Sequence, residues 1–226
     1  MDRENASPRQ MPRPLRALLD LIYPPRCPFC GRLLERGEEE VCGRCRRTLP
    51  YTGGAWPGVD LCDACLAPLW YRNETVEAVQ RYKFSGKSSY ADTFGGLMTR
   101  CLQENWSEPL DAVVWAPLSR RHLRRRGYDQ AELLARRVGA LTGLPVMNAL
   151  EKRRNTGTQS SLSGDAERRA NVSGAYRLRP GVSVDGLRLV LVDDVVTSGA
   201  TLSECAAVLR MSGAAVVVGL ALARAR

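Results

Sequence analysis

The sequence predicts an α/β fold, in which a mostly parallel sheet is flanked by helices, behind a small Cys-rich module. From about residue 73, apolar β-branched stretches alternate with amphipathic stretches, which is the pattern of strands connected by helices. Before that point, six of the eight cysteines lie within residues 26–66. Ligands of such sheets bind beyond the carboxyl ends of the strands, so polar residues that follow a strand mark the candidate site.

Hydrophobic periodicity and chain breakers define the expected elements. The helical period predicts helices over residues 15–23, 74–83, 90–105, 128–142 and 201–211. Apolar runs predict strands over residues 111–117, 145–150, 187–192 and 214–223. Three units follow: an N-terminal tail with a short helix over residues 1–25, the Cys-rich module over 26–70, and the main domain over 73–226.

Composition narrows the classes of protein and of partner. The 226 residues are 44% hydrophobic, and no stretch approaches the roughly 20 apolar residues of a membrane helix, so we expect no membrane insertion. The first dozen residues are polar, which predicts a cytoplasmic protein with reduced cysteines. The net charge of +9 favours anionic partners such as nucleotides, pyrophosphate or nucleic acid, although solvated helix faces would produce the same charge.

An acidic pair followed by a small, hydroxyl-rich turn is the strongest functional signal. The apolar run over residues 187–192 ends in Asp193 and Asp194, and the turn that follows contains Thr197, Ser198, Gly199, Ala200 and Thr201. Backbone N–H groups at a helix N-terminus bind phosphate, while paired carboxylates can hold ribose hydroxyls or Mg²⁺. An ordinary strand, turn and helix cap would not require both acids and this turn. The stretch resembles the phosphoribosyl-pyrophosphate (PRPP) motif of type I phosphoribosyltransferases.

The cysteines form three Cys-x-x-Cys pairs. Two such pairs supply the tetrahedral four-thiolate set that zinc prefers, and in a reduced compartment this spacing favours zinc over disulfides. We predict one structural Zn²⁺ site made of Cys27, Cys30, Cys42 and Cys45. Two alternatives stay open for Cys62 and Cys65: they replace the second pair as ligands, or they remain from another ribbon whose other half is absent. A redox role is the competing interpretation of a Cys-x-x-Cys pair.

A basic segment and a polar segment complete the candidate site. Five arginines lie between residues 120 and 126, in a predicted loop where guanidinium groups could bind phosphate oxygens. A solvated positive loop and a contact with nucleic acid, with Tyr128 stacking on a base, are the alternatives. His122 is a poor general base, because the neighbouring positive charge lowers its proton affinity. The polar residues 152–171 are typical of a surface loop that closes over a ligand.

Taken together, these motifs resemble those of the ComF family over almost the whole chain. The resemblance rests on DLIYPPRCPFCG at residues 20–31, YKFSGKSSYAD at 82–92, RGYDQ at 126–130 and LVLVDDVVTSGATL at 189–202. It also rests on single residues of the polar segment, namely Arg154, Thr156, Gln159, Arg168 and Asn171. Two departures matter: Asp129 replaces the family's common Asn, which adds a negative charge beside the phosphate site, and three Cys pairs replace the four of longer members.

The resemblance implies a type I phosphoribosyltransferase fold over residues 73–226 behind a zinc ribbon. It implies binding of PRPP with Mg²⁺ and transfer of phosphoribose to an unknown acceptor. Residues 197–201 would then hold the 5-phosphate, Asp193 and Asp194 the ribose hydroxyls, and Arg126 with Gly127 the pyrophosphate. Arg154 and Gln159 would belong to the lid. The alternative is a non-catalytic module that binds single-stranded DNA and a competence helicase during DNA uptake.

Overall fold

A computed structural model describes residues 24–35, 37–38, 40–56, 59–153 and 174–225. The helix predicted over residues 15–23 lies outside the described residues. The family-specific residues of the polar segment also lie outside them, including both predicted lid residues, Arg154 and Gln159.

The described residues form six helices and seven strands. The helices are α1 (Gly43–Thr48), α2 (Glu74–Phe84), α3 (Tyr90–Asn105), α4 (Arg120–Arg126), α5 (Gln130–Thr142) and α6 (Ala200–Met211). The strands are β1 (Tyr51–Trp56), β2 (Ala64–Trp70), β3 (Ala112–Trp115), β4 (Leu150–Lys152), β5 (Tyr176–Leu178), β6 (Arg188–Val196) and β7 (Val216–Arg224). None of the described helices is long and apolar enough to cross a membrane.

Five strands form the main sheet in the order β1-β2-β7-β6-β3, and all neighbours are parallel except β1 and β2. A separate antiparallel pair joins β4 to β5. The central strands β6 and β7 are almost continuous apolar runs, as expected for a parallel sheet covered on both faces. The predicted α/β fold with a parallel sheet flanked by helices is therefore confirmed.

The sheet separates two hydrophobic cores, because side chains of a strand alternate between its faces. Val190 and Val192 pack into the core shared with α2, α3 and α5, whereas Leu189 and Leu191 pack into the core under α6. The same alternation places Asp193 on the side of Leu191 and Asp194 on the side of Val192, so it decides which way the two acidic side chains point.

Three features differ from the sequence-based expectation. The basic segment is a helix, α4, because Ser119 caps its start and Gly127, with φ +80°, ends it. The strand predicted to stop at residue 192 continues to Val196, because β7 pairs with it up to that residue. The expected strand at residues 145–150 is reduced to a bridge between Val146 and Val113, before β4 begins at Leu150.

The main sheet also includes β1 and β2, which come from the residues that the sequence assigned to the Cys-rich module. Parallel pairing of β2 with β7 runs from the contact of Ala64 with Val218 to that of Trp70 with Arg224. The Cys-rich segment is therefore continuous with the sheet that carries the candidate site.

Candidate functional site

The turn after β6 contains a buried hydroxyl without a partner among the described residues, next to a helix start that no side chain caps. Gly199 is the N-cap of α6, has φ +75°, and offers no side chain to cap the helix. The first-turn N–H groups of α6 therefore have no side-chain cap of the usual kind. The Ser198 hydroxyl is buried and has no hydrogen-bond partner among the described residues. A phosphate group would satisfy donors of this kind at a helix N-terminus.

A small pocket lies at this turn, at the carboxyl end of β6. It is lined by Asp193, Val195, Val196, Thr197, Gly199, Ala200, Thr201 and Leu202. Four of the five predicted loop residues, all but Ser198, thus line one pocket with one of the two predicted acids, beyond a central strand of a parallel sheet, where such folds bind their ligands.

The two acids point to opposite faces of the sheet, because they are neighbours within β6. Asp193 lines the pocket, whereas Asp194 faces the other core, where its Oδ1 lies 2.8 Å from Lys83 Nζ. Both side chains of this ion pair are largely buried, with 12% of Asp194 and 19% of Lys83 exposed. The sequence analysis considered the two acids as one pair, but Asp193 lies in the pocket and Asp194 lies in the opposite core, paired with Lys83.

Asp193 ionises with difficulty in this environment. Burial, together with the neighbouring charge of Asp194, raises the pKa of Asp193 to about 7. The Asp194 backbone N–H, which donates to Asp193 Oδ1 at 2.8 Å, and the charge of Lys83 both favour the ionised form. A cation or a set of donor hydroxyls in the pocket would favour the carboxylate further.

Two lysines near the acids were not identified from the sequence. Lys83 lies within the YKFSGK motif at the end of α2, a signal that could have found it. Lys152 ends β4, and its Nζ lies 5.0 Å from the centre of the Tyr176 ring. Burial lowers the pKa of Lys152, while the charges of Cys205 and Asp193 oppose that effect. Lys152 therefore brings a partly desolvated positive charge to the Asp193 side of the sheet.

Two arginines of the basic helix α4 lie close to an exposed aromatic ring. The guanidinium carbons of Arg125 and Arg126 lie 5.7 and 5.1 Å from the centre of the Phe84 ring, and Phe84 is 59% exposed. Arg126 Nη1 also donates to Gln130 Oε1 at 2.7 Å, while its Nε has no partner among the described residues. Phe84 follows Lys83, so this surface adjoins the Asp194 ion pair.

Asp129 has a structural position rather than an exposed one. Its Oδ1 accepts hydrogen bonds from the N–H groups of Ala131 and Glu132, and its Oδ2 accepts one from Leu118 N–H. The side chain caps α5 and is buried, and burial raises its pKa to about 6. The carboxylate of Asp129, which was expected to add negative charge beside the phosphate site, therefore caps the start of α5.

His122 lies on α4 among the arginines. Burial, followed by the charges of Arg126 and Arg125, lowers the pKa of His122. This is the effect expected from the sequence, and it agrees with leaving His122 out of the candidate catalytic groups.

Four thiols of the Cys-rich module converge on one point. The sulfurs of Cys27, Cys30, Cys42 and Cys45 all lie within 4.8 Å of one another. Those of Cys30 and Cys42 are 3.6 Å apart, close to the separation of about 3.8 Å between thiolates that share a tetrahedral zinc ion. The cluster packs on the main domain through Phe29, whose ring lies 5.7 Å from that of Phe94. Cys62 and Cys65 lie elsewhere, at the start of β2.

Comparison with known sequences assigns the family. The chain is 32% identical over 206 residues to the DNA utilization protein YhgH of Escherichia coli O157:H7, covering 84% of this chain and 86% of that protein. It is 30% identical over 209 residues to Competence protein F of Haemophilus influenzae, and this match covers 89% of the present chain and 85% of the relative. The chain belongs to the ComF family. Competence protein ComFC of Streptococcus pneumoniae, another relative, is 26% identical over 202 residues, with 88% and 87% covered.

Within this ComF protein, a family model described as a double zinc ribbon domain matches residues 18–77. The match and the converging thiols of Cys27, Cys30, Cys42 and Cys45 support a structural Zn²⁺ in the ComF chain, as the spacing predicted.

Two solved structures also resemble the ComF chain. The first is entitled "Structure of the allosteric regulatory enzyme of purine biosynthesis". It is 27% identical to the ComF chain with a TM-score of 0.39, and the match covers 58% of the ComF chain and 25% of the other chain. The second, the glutamine PRPP amidotransferase from B. subtilis, is 26% identical with a TM-score of 0.40, and the match covers 58% of the ComF chain and 26% of the amidotransferase chain. The ComF chain thus spans about a quarter of the length of these two chains.

Proposed function

We propose that this ComF protein binds PRPP or a related 5-phosphorylated ribose, and transfers its phosphoribosyl unit to an acceptor. The observation that carries the proposal is the pocket at the end of β6, beside which the Ser198 hydroxyl is buried without a partner among the described residues and no side chain caps the start of α6. An anion is the ligand class that such donors select.

Each part of the site has a role in this proposal. Residues 197–201 hold the 5-phosphate, and Asp193, which lines the same pocket, accepts hydrogen bonds from the ribose hydroxyls. Lys83 holds Asp194 on the opposite face and limits the negative charge near the sugar. Arg126 and the turn at Gly127 take the pyrophosphate. Arg154 and Gln159 belong to the segment that closes over the ligand.

The donor set also fits Mg²⁺, because magnesium in phosphate sites is held by one or two carboxylates together with the substrate. Asp193 would hold the ion, which neutralises pyrophosphate charge when bound. In the transfer, the bond from ribose C1 to pyrophosphate breaks, pyrophosphate leaves with the electron pair, and a nucleophile of the acceptor bonds to C1 and gives up its proton to the departing pyrophosphate. Positioning and electrostatic stabilisation of the positive sugar carry this reaction, so no general base of the protein is required.

Calorimetric titration of PRPP with Mg²⁺ into the zinc-loaded protein tests the proposal. The Asp193→Asn/Asp194→Asn variant should lose binding, and Ser198→Ala should bind about tenfold more weakly, because each loses hydrogen bonds to the ligand. Asp92→Asn is the matched control, since the Asp92 side chain is 75% exposed. Absence of binding by the folded wild-type protein would refute the proposal.

A second candidate function is binding of single-stranded DNA with a helicase partner in DNA uptake. The specific observation is the exposed Phe84 ring beside Arg125 and Arg126, since base stacking on aromatic rings beside arginines is a common mode of single-strand binding. The E. coli and H. influenzae relatives are named DNA utilization protein and competence protein, and these names agree with this function.

Fluorescence anisotropy with a labelled oligonucleotide separates the two functions. If Phe84 stacks on bases, Phe84→Ala should weaken DNA binding about tenfold, and affinity should fall steeply with salt. Met211→Ala, which truncates another exposed apolar side chain, should have no effect. Replacing both acids should leave DNA affinity unchanged. Equal affinity of the Phe84 and Met211 variants would contradict this function.

A further inference from the structure

The third Cys-x-x-Cys pair lies where the Cys-rich segment meets the phosphate loop. Cys65 is 2% exposed and pairs with Gly219 of β7, and Cys62 is only partly buried. A Cβ atom on Gly219 would lie 3.1 Å from the Cys65 sulfur and 3.5 Å from the Cys62 sulfur. Both thiols therefore fill the space that the absent side chain of Gly219 leaves.

The turn that carries the pair is firmly attached to the sheet. Asp63, between the two cysteines, donates its N–H to Val217 O at 2.9 Å and accepts the Val217 N–H at 2.7 Å. Arg210 of α6 forms an ion pair with Asp63. Leu61, next to Cys62, has φ +67°, a conformation that costs a non-glycine residue about 1 kcal/mol. The two thiols are thus held in a fixed and locally strained turn.

Val59 connects this pair to the phosphate loop. Its carbonyl accepts the Cys62 N–H at 3.3 Å, and its own N–H donates to the Cys65 sulfur. Its side chain is the nearest neighbour of the loop glycine, because a Cβ on Gly199 would lie 3.0 Å from Val59 Cγ2. Leu202, in the first turn of α6, also packs near both sulfurs, at 3.2 Å from the same Gly219 position.

The pair does not form a second four-thiol cluster. All eight cysteines are described, and the grouping of three or more close metal-ligand side chains found in the described residues is that of Cys27, Cys30, Cys42 and Cys45. The double zinc ribbon match spans Cys62 and Cys65 as well, but among the described thiols Cys62 interacts with those of Cys65 and Cys205, which is one too few for a four-thiolate set.

We propose that Cys62 and Cys65 form a reversible dithiol–disulfide site that controls the phosphate loop through Val59. The regulatory part of this proposal rests on the proposed function of that loop. A disulfide sulfur is a poor acceptor, and closing the bond brings the two sulfurs to about 2.05 Å. The Val59 hydrogen bond to Cys65 is then lost, the turn tightens, and the contact of Val59 with Gly199 loosens.

The oxidation requires a disulfide co-reactant, such as a low-molecular-weight glutathione-type disulfide. The thiolate of Cys62, the more exposed of the pair, attacks one sulfur of that disulfide and releases one thiol. The hydrogen bond with Cys62 and burial raise the pKa of the Cys65 thiol, so Cys65 gives up its proton as it attacks the mixed disulfide, which releases the second thiol and leaves the Cys62–Cys65 bond. The protein loses two electrons and two protons, and the co-reactant gains both.

Peptide mass analysis tests formation of the bond without any ligand. Trypsin releases residues 48–72 as one peptide, because no Lys or Arg lies between Arg47 and Arg72, and its two cysteines are Cys62 and Cys65. After exposure of zinc-loaded protein to glutathione disulfide, this peptide should lose two hydrogens and resist alkylation until reduced. A peptide that stays fully reduced, or a chain that holds two zinc ions rather than one, would overturn the proposal.

Hydrogen exchange then tests control of the loop independently of PRPP. Amides of residues 197–202 should exchange at least tenfold faster in the oxidised protein, and Cys62→Ser should remove the response to oxidant. Cys101→Ser is the control, because Cys101 is a buried thiol on α3. PRPP affinity should fall in parallel by about tenfold. Unchanged exchange after oxidation overturns the inference, whereas faster exchange without PRPP binding by reduced protein sustains it and refutes only the proposed function.

Discussion

Replacing Lys83 by Met tests the separation of the two acids most sharply. Its Nζ lies 2.8 Å from Asp194 Oδ1, and both side chains are at least four-fifths buried. Removing one partner of a buried pair leaves an uncompensated charge, which typically costs 3–5 kcal/mol. Because a little water reaches this pair, we expect about 3 kcal/mol. In a chain of 226 residues, this lowers the melting temperature by about 6–12 °C.

Thermal unfolding of three variants at pH 7 gives the readout. Lys87→Met is the matched control, because it removes an exposed lysine of the same motif. The free energy of unfolding of Lys83→Met/Asp194→Asn should exceed that of Lys83→Met by more than 1 kcal/mol, since the double variant also removes the unpaired charge of Asp194. Lys83→Met should in addition raise the pKa of Asp193 further, because Lys83 favours its ionised form. Equal melting temperatures for Lys83→Met and Lys87→Met would refute the reasoning.

Three further predictions concern the pocket and the zinc site. Ser198→Ala should leave the melting temperature unchanged or slightly raised, because it removes a buried hydroxyl without a partner; a loss above 1 kcal/mol in denaturant unfolding would contradict this. Because the pKa of Asp193 is raised from 3.8 to about 7, its stabilising contribution is complete below pH 3.8 and lost as pH rises through 7. Ligand-free Asp193→Asn should therefore exceed wild type in stability by up to about 4 kcal/mol at pH 8 and match it near pH 4, as measured by melting curves. Cys45→Ser should lose zinc in elemental analysis and the ordered contacts of the Cys-rich segment, whereas Cys101→Ser should keep both.

Sequence patterns were sufficient where one local signal dominates. The helix expected over residues 90–105 has those bounds in the structure, because its apolar period is uninterrupted. The four thiols predicted from Cys-x-x-Cys spacing come together for the same reason, since each knuckle is local. The loop over residues 197–201 also lies where expected, after the central strand.

The sequence was insufficient where long-range pairing or caps decide. The strand was expected to end before Asp193, because Asp is unfavourable in strands, but pairing of Asp193 with Ala221 and of Val195 with Ala223 extends it. Helix α4 has no buried residue and hence no apolar period, so only its caps, Ser119 and Gly127, could have revealed it.

Contacts between distant segments left no pattern to follow. The ion pair of Lys83 with Asp194 and the contact of Val59 with Gly199 join residues far apart in the chain. Their existence depends on the packing of α2 and of the Cys-rich segment against β6 and α6. The local sequence pattern therefore identified the loop over residues 197–201, but it did not identify Val59, which contacts the loop, or Lys83, which pairs with Asp194.

A crystal structure of the zinc-loaded protein with ribose 5-phosphate tests the central claim most directly. We predict the phosphate at the start of α6, within about 3 Å of the Ser198 hydroxyl and the first-turn N–H groups, with the ribose hydroxyls toward Asp193. A phosphate bound instead on α4 between Arg125 and Arg126, with an empty loop at residues 197–201, would contradict the account.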